Sequence, residues 1–90
     1  MSQHVIEAPN ANRKYVFGWD QPLMSFFLQV HDTTRDPDDE ENPRIIVRLG
    51  ADRETTMYEV EDLARAARKH GLTIPYAYRV LLYGEKDDGR

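Results

Sequence analysis

The chain has no cysteine. That excludes disulfide staples, a thiol nucleophile and a thiolate-bound metal. Small secreted domains lean on such staples, so their absence fits a reducing, cytoplasmic setting. No apolar run approaches the roughly 20 residues of a membrane-spanning helix. The first residues, Met1-Ser2-Gln3-His4-Val5, carry neither a basic start nor an apolar stretch and do not read as a signal peptide. Glycine is scarce and scattered, at 18, 50, 71, 84 and 89, so there is no phosphate-cradling loop and no dinucleotide fingerprint. The three histidines, His4, His31 and His70, stand far apart with no second ligand at metal-site spacing. Neither serine, Ser2 or Ser25, has a base partner that spacing suggests. The expectation is therefore no catalytic residue, no metal and no cofactor. Trp19, Asp20, Gln29 and His31 are the only set with the polarity of a small active site, and the chain is not read as an enzyme.

Positive charge is also short: 12 Lys and Arg stand against 16 Asp and Glu, a formal net charge of −4. This aids solubility and argues against general affinity for phosphate backbones. Much of the acid sits in one place, Asp36, Asp38, Asp39, Glu40 and Glu41, and the remainder is near neutral. Calcium suits carboxylates chemically, but this run lacks the glycine and spacing of a calcium-binding loop. It reads as a solvated hairpin loop that keeps the strands beside it soluble.

Ninety residues make one domain, able to bury roughly 60–65% of its unfolded surface. The apolar residues that are present change period near residue 50. Lys14–Trp19, Ser25–His31 and Arg44–Leu49 alternate as strands do. Phe26, Leu28, Val30, Ile45, Val47 and Leu49 form the inward set. Phe27, Gln29, His31, Ile46 and Arg48 form the outward one. Asp20-Gln21-Pro22 suits a turn, and Gly18 marks a bulge or a close backbone contact. Residues 33–42 form a long polar loop and residues 1–13 an N-terminal arm without periodicity, both expected to be mobile.

Helical spacing begins after Thr56, where Thr56 and Glu59 fit a capping box. The first helix is expected over Met57–His70, with Met57, Val60, Leu63, Ala64 and Ala67 inward and Gly71 as its left-handed stop. The second is capped by Thr73, has Pro75 in its first turn, and turns Ala77, Val80, Leu81 and Gly84 to the core, with Tyr78 and Leu82 widening that stripe. Leu28, Val47, Leu63 and Leu81 are the expected centre of that core. Residues 87–90 form a polar tail. The fold class is α+β: a three-stranded antiparallel meander with two helices on one face, β-β-β-α-α, the domain spanning 14–86.

Two segments invite a functional reading. Leu63–Leu82 resembles a helix-turn-helix at Ala67, Gly71, Leu72, Thr73 and Val80, and such a motif would offer Tyr76, Tyr78 and Arg79 to base edges. Ala77 and His70 depart from that pattern, and base-reading donors are few. The second signal is aromatic and Arg-bearing surface, the usual material of protein interfaces. It occurs as Phe27, Gln29, His31 and Arg48 on the outer sheet face, the surface expected first because its apolar members are hard to justify on an open face, and as Tyr76, Arg79 and Tyr83 on one helix flank. The expected function is a small soluble protein-binding domain, with a protein partner or self-association, and the alternative is a DNA-binding regulator through 63–82. The segment Tyr15-Val16-Phe17-Gly18-Trp19-Asp20-Gln21-Pro22-Leu23, with Phe26-Phe27 and Gln29-Val30 after it, resembles a group of short bacterial proteins of uncharacterised function. That resemblance implies a bacterial, intracellular origin and no activity.

Overall fold

In the computed structural model, which describes residues 2–36, 38, 41 and 43–89, an antiparallel sheet is followed by two helices. The sheet has four strands, not three: β1 His4–Ala8, β2 Arg13–Asp20, β3 Ser25–Asp32 and β4 Ile45–Leu49, in the order β1-β2-β3-β4. The extra strand lies in the segment expected to be an arm. Its alternation is only five residues long before Pro9 interrupts it, with His4, Ile6 and Ala8 inward and Val5 and Glu7 outward. A polar histidine on the inward face hides that pattern from a hydrophobicity count.

Gly18 is what lets the N-terminus lie down. The Ser2 amide donates to the Trp19 carbonyl at 2.9 Å, and the Trp19 amide donates to Ser2 Oγ at 2.8 Å. A Cβ at position 18 would sit 2.3 Å from the Ser2 carbonyl oxygen, so only glycine fits. The close contact expected at Gly18 is thus a backbone crossing.

β2 and β3 pair without slip from Arg13↔Asp32 to Asp20↔Ser25, joined by the turn 21–24. β4 pairs with β3, with a bulge between Val30 and His31. The expected alternation holds along β2 and β3 and for Val47 and Leu49 of β4, but not for Ile45: the bulge sets it opposite the outward His31, and it is not part of the core cluster. Tyr15, Phe17, Trp19, Phe26, Leu28 and Val30 are buried beneath the helices, and Val47 and Leu49 are half-buried against the same cluster. Of the polar loop, Pro37, Asp39, Glu40 and Asn42 lie outside the described residues.

The first helix, α1, runs Val60–Lys69, three residues later than expected. Its capping box is Glu59 with Asp62, not Thr56 with Glu59. Met57 is held extended instead: the Phe26 amide donates to its carbonyl at 2.8 Å, and its own amide donates to Ser25 Oγ at 3.0 Å. A tertiary bridge therefore overrides the local cap signal. α1 ends as expected at Gly71. The Leu72 amide donates to the Ala67 carbonyl and the Gly71 amide to the Arg68 carbonyl, the paired bonds of a Schellman stop. The Tyr15 hydroxyl ties this end to the sheet by donating to the His70 carbonyl at 2.7 Å.

α2 runs Tyr76–Asp88 and begins after Pro75, so Thr73 is not its cap. The largest departure lies here. Ala77, Val80, Leu81 and Gly84, expected in the core, face solvent. Of the expected stripe only its widening members, Tyr78 and Leu82, face inward, joined by Glu85; Leu82 has no exposed surface.

Candidate functional site

The rotation of α2 has a physical cause. Leu82 fills the core, and Tyr78 packs its ring against Phe17 at 5.6 Å between centroids. Glu85 is buried one turn further on, where a carboxylate without a partner would be costly. His4 on β1 provides that partner: its Nε2 contacts both Glu85 oxygens, Oε2 at 3.0 Å. The imidazole also lies between the Phe17 and Tyr78 rings, 5.7 and 5.5 Å away. With Glu85 satisfied inward, the more apolar arc of the helix is left outside.

That outer arc carries Tyr76, Ala77, Val80, Leu81, Tyr83 and Gly84. Tyr76 is 80% exposed, Val80 and Leu81 about half exposed. The arc is continuous, because positions three and four apart share one face of a helix. Asp87 and Asp88 close its C-terminal end. The expected set Tyr76, Arg79 and Tyr83 does share a flank, with Arg79 half-buried. Val80, Leu81 and Gly84 belong to the same surface, though periodicity assigned them to the core.

The flank nearest α1 is fixed by polar contacts. The Tyr83 hydroxyl donates to Glu61 Oε1. This bond holds the Glu61 carboxyl below its ordinary range and pushes the Tyr83 phenol up. Lys86 donates to the Tyr58 carbonyl, lies 3.7 Å from Glu59 and sits 5.8 Å from the centre of the Trp19 ring. On the other flank a groove of about 520 Å³ separates α2 from the N-terminal segment. Ser2, Gln3 and His4 line it on one side, and Val80, Leu81 and Gly84 on the other.

The sheet's open face, away from the helices, gathers the other predicted residues. Phe27, Gln29 and His31 alternate along β3, and Arg48 stands opposite Gln29 on β4. A cavity of about 250 Å³ there is lined in part by Val16, Asp20, Phe27, Gln29 and Arg48. Phe27, Gln29 and His31 are half-buried, and Ile46 and Arg48 are exposed. His31 Nε2 lies 3.1 Å from Gln29 Oε1. Burial first, then the charges of Lys14, Arg44 and Arg48, lower the His31 pKa below its usual 6.5. Arg44 Nε is buried without a hydrogen-bond partner.

The set Trp19, Asp20, Gln29 and His31 is not gathered into one site. Trp19 faces the core and donates its indole N–H to Gln21 Oε1 at 2.8 Å, while Gln29 and His31 lie on the opposite face of the sheet. Segment 63–82 is a helix, a glycine turn and a helix, but Ala77 and Val80 point to solvent and Tyr78 is packed inward. Among the described residues no group of three His, Asp or Glu is close enough to hold a metal. Among them, too, no helix is long and apolar enough to cross a membrane. Comparison with protein-family models, with curated proteins and with solved structures gives no match.

Proposed function

We propose that this domain works by binding protein, through the outward face of α2. The observation that carries the reading is the half-exposed pair Val80 and Leu81, flanked by Tyr76 and Tyr83. Exposed apolar side chains occur singly on most proteins, but a contiguous aromatic and aliphatic arc on one helix is interface material. The open sheet face is the weaker surface. Its aromatic, Phe27, is half-buried among neighbours, and its exposed rim is cationic. DNA recognition through 63–82 is weaker still. The helix-turn-helix needs Ala77 and Val80 packed inward, and Tyr78, a base contact in that reading, is half-buried against the core.

The test is a pair of variants, each first verified as folded by circular dichroism. Val80→Glu with Leu81→Glu is expected to reduce association at least about tenfold, as removal of central apolar anchors does. Phe27→Ala with Arg48→Ala is expected to leave it unchanged. The opposite pattern would move the working surface to the sheet. Loss in neither would remove the protein-binding reading.

A further inference from the structure

Resting on that reading, we infer that the partner is a second copy of this chain, docked through α2 against α2 in antiparallel order about a two-fold axis. The first support is Gly84. Glycine inside a helix costs about 1 kcal/mol relative to alanine, and the fold does not require it here: a Cβ at Gly84 meets nothing within 4 Å. A residue that the isolated chain has no use for is explained by close approach of another backbone. Ala77, seven residues earlier on the same arc, is the second small side chain.

The stripe is self-complementary. Antiparallel pairing centred between Val80 and Leu81 sets Ala77 against the partner's Gly84 and Val80 against the partner's Leu81. Small residues meet small, and branched residues meet branched. The ends match as well. The first turn of α2 carries no acidic residue and no side-chain cap, so it presents the positive end of the helix dipole. The same pairing lays Asp87 and Asp88 of the last turn against it, while Lys86 of that turn is drawn to the other flank by Glu59 and the Tyr58 carbonyl.

The N-terminal segment adds to this contact. Val80, Leu81 and Gly84 of the arc line a groove whose other side is Ser2, Gln3 and His4. A helix seated on those three residues therefore also meets the start of β1. β1 is an edge strand of the sheet, and an edge is a ready template for pairing. Both elements are needed. A helix face about 20 Å long and 10 Å wide falls well short of the roughly 800 Å² per partner of a standard interface. The dimer is correspondingly weak.

The chain has no native cysteine, so introduced thiols read the register directly. Under mild oxidation, a mixture of Ala77→Cys and Gly84→Cys proteins is expected to form the mixed disulfide at least about tenfold faster than either protein crosslinks alone, since a disulfide demands Cα atoms within about 7 Å. In sedimentation velocity the parent is expected to populate dimer by about 100 µM, the low-affinity end for so small a contact. Gly84→Gln, which the isolated fold has room for, is expected to raise the dissociation constant at least about tenfold. A parent that stays monomeric to about 1 mM, a disulfide between two Ala77→Cys copies as the main product, or an unchanged Gly84→Gln dimer would each overturn the proposal. If the parent is monomeric but Val80→Glu with Leu81→Glu still abolishes capture of another protein, self-association falls and the protein-binding reading stands. If that variant changes no association at all, both fall.

Discussion

His4 at the start of β1 holds Glu85 near the end of α2, across 81 residues of sequence, with its Nε2 against both carboxylate oxygens. This pair acts with Leu82 and Tyr78 to set which face of α2 is buried. Turning Glu85 outward would rotate the helix and bring Val80 and Leu81 toward the core. The outward apolar arc is thus in part a consequence of a polar contact.

Removing the imidazole leaves Glu85 buried and unpartnered. His4→Ala is expected to cost about 1–3 kcal/mol, the penalty for leaving a buried polar group unsatisfied. Adding Glu85→Leu to that variant is expected to restore part of the loss, because an apolar residue then replaces the stranded charge. Urea unfolding measures both. A double variant as unstable as the sum of two independent losses would show that the residues do not act as a pair.

Leu81 and Leu82 are adjacent and chemically identical, yet one is half exposed and the other fully buried. Leu82→Ala is expected to cost about 2–5 kcal/mol, as truncation at a closed core site does. Leu81→Ala is expected to stay within about 0.5 kcal/mol in dilute solution, where the chain is monomeric. Leu63, also fully buried, should behave like Leu82. Equal losses at 81 and 82 would contradict the orientation of α2.

The Tyr83 hydroxyl depresses the Glu61 pKa. A carboxyl whose folded pKa is lowered contributes stability that is present above its ordinary value and is lost as pH falls through the folded one. Tyr83→Phe removes the donor, so the Glu61 pKa is expected to rise toward the ordinary carboxylate value. Carbon-detected NMR titration of the Glu61 side chain reads this. An unchanged Glu61 titration in Tyr83→Phe would dissociate the two residues.

His31 acts with the same sign at higher pH. Its folded pKa is lowered, by burial first and then by Lys14, Arg44 and Arg48. The unfolded chain therefore takes up the proton first. The stability contribution is complete above the unfolded value of about 6.5 and is lost as pH falls through the depressed folded pKa. His31→Gln is expected to flatten the fall in stability just below pH 6.5, measured by urea unfolding at a series of pH values. A slope there that is the same in parent and variant would assign it to another group.

The strands that bear the core were legible because their alternation is long and aromatic. Phe26, Leu28 and Val30 could face only one way without exposing a row of large side chains. The end of α1 was legible too, since Gly71 supplies the positive φ the stop needs. β1 was not, because its inward face begins with a histidine and is only three residues wide. That omission carried through to α2. Without His4 in place, a buried Glu85 has no partner, so periodicity favours Ala77, Val80, Leu81 and Gly84 as the core stripe. The flank Tyr76, Arg79 and Tyr83 was legible from spacing alone, while the apolar residues beside it were assigned to the wrong side. One local signal did mark them: Gly84, a helix-interior glycine whose missing side chain the core does not need.

The most direct measurement is a dilution series followed by amide and methyl NMR from about 20 µM to 1 mM, a range that spans weak association. The predicted result is concentration-dependent shifts confined to residues 76–88 of α2 and to the N-terminal segment and β1, with Phe27, Gln29, His31 and Arg48 unmoved. Shifts centred on the open sheet face, or spectra that do not change across the series, would contradict it.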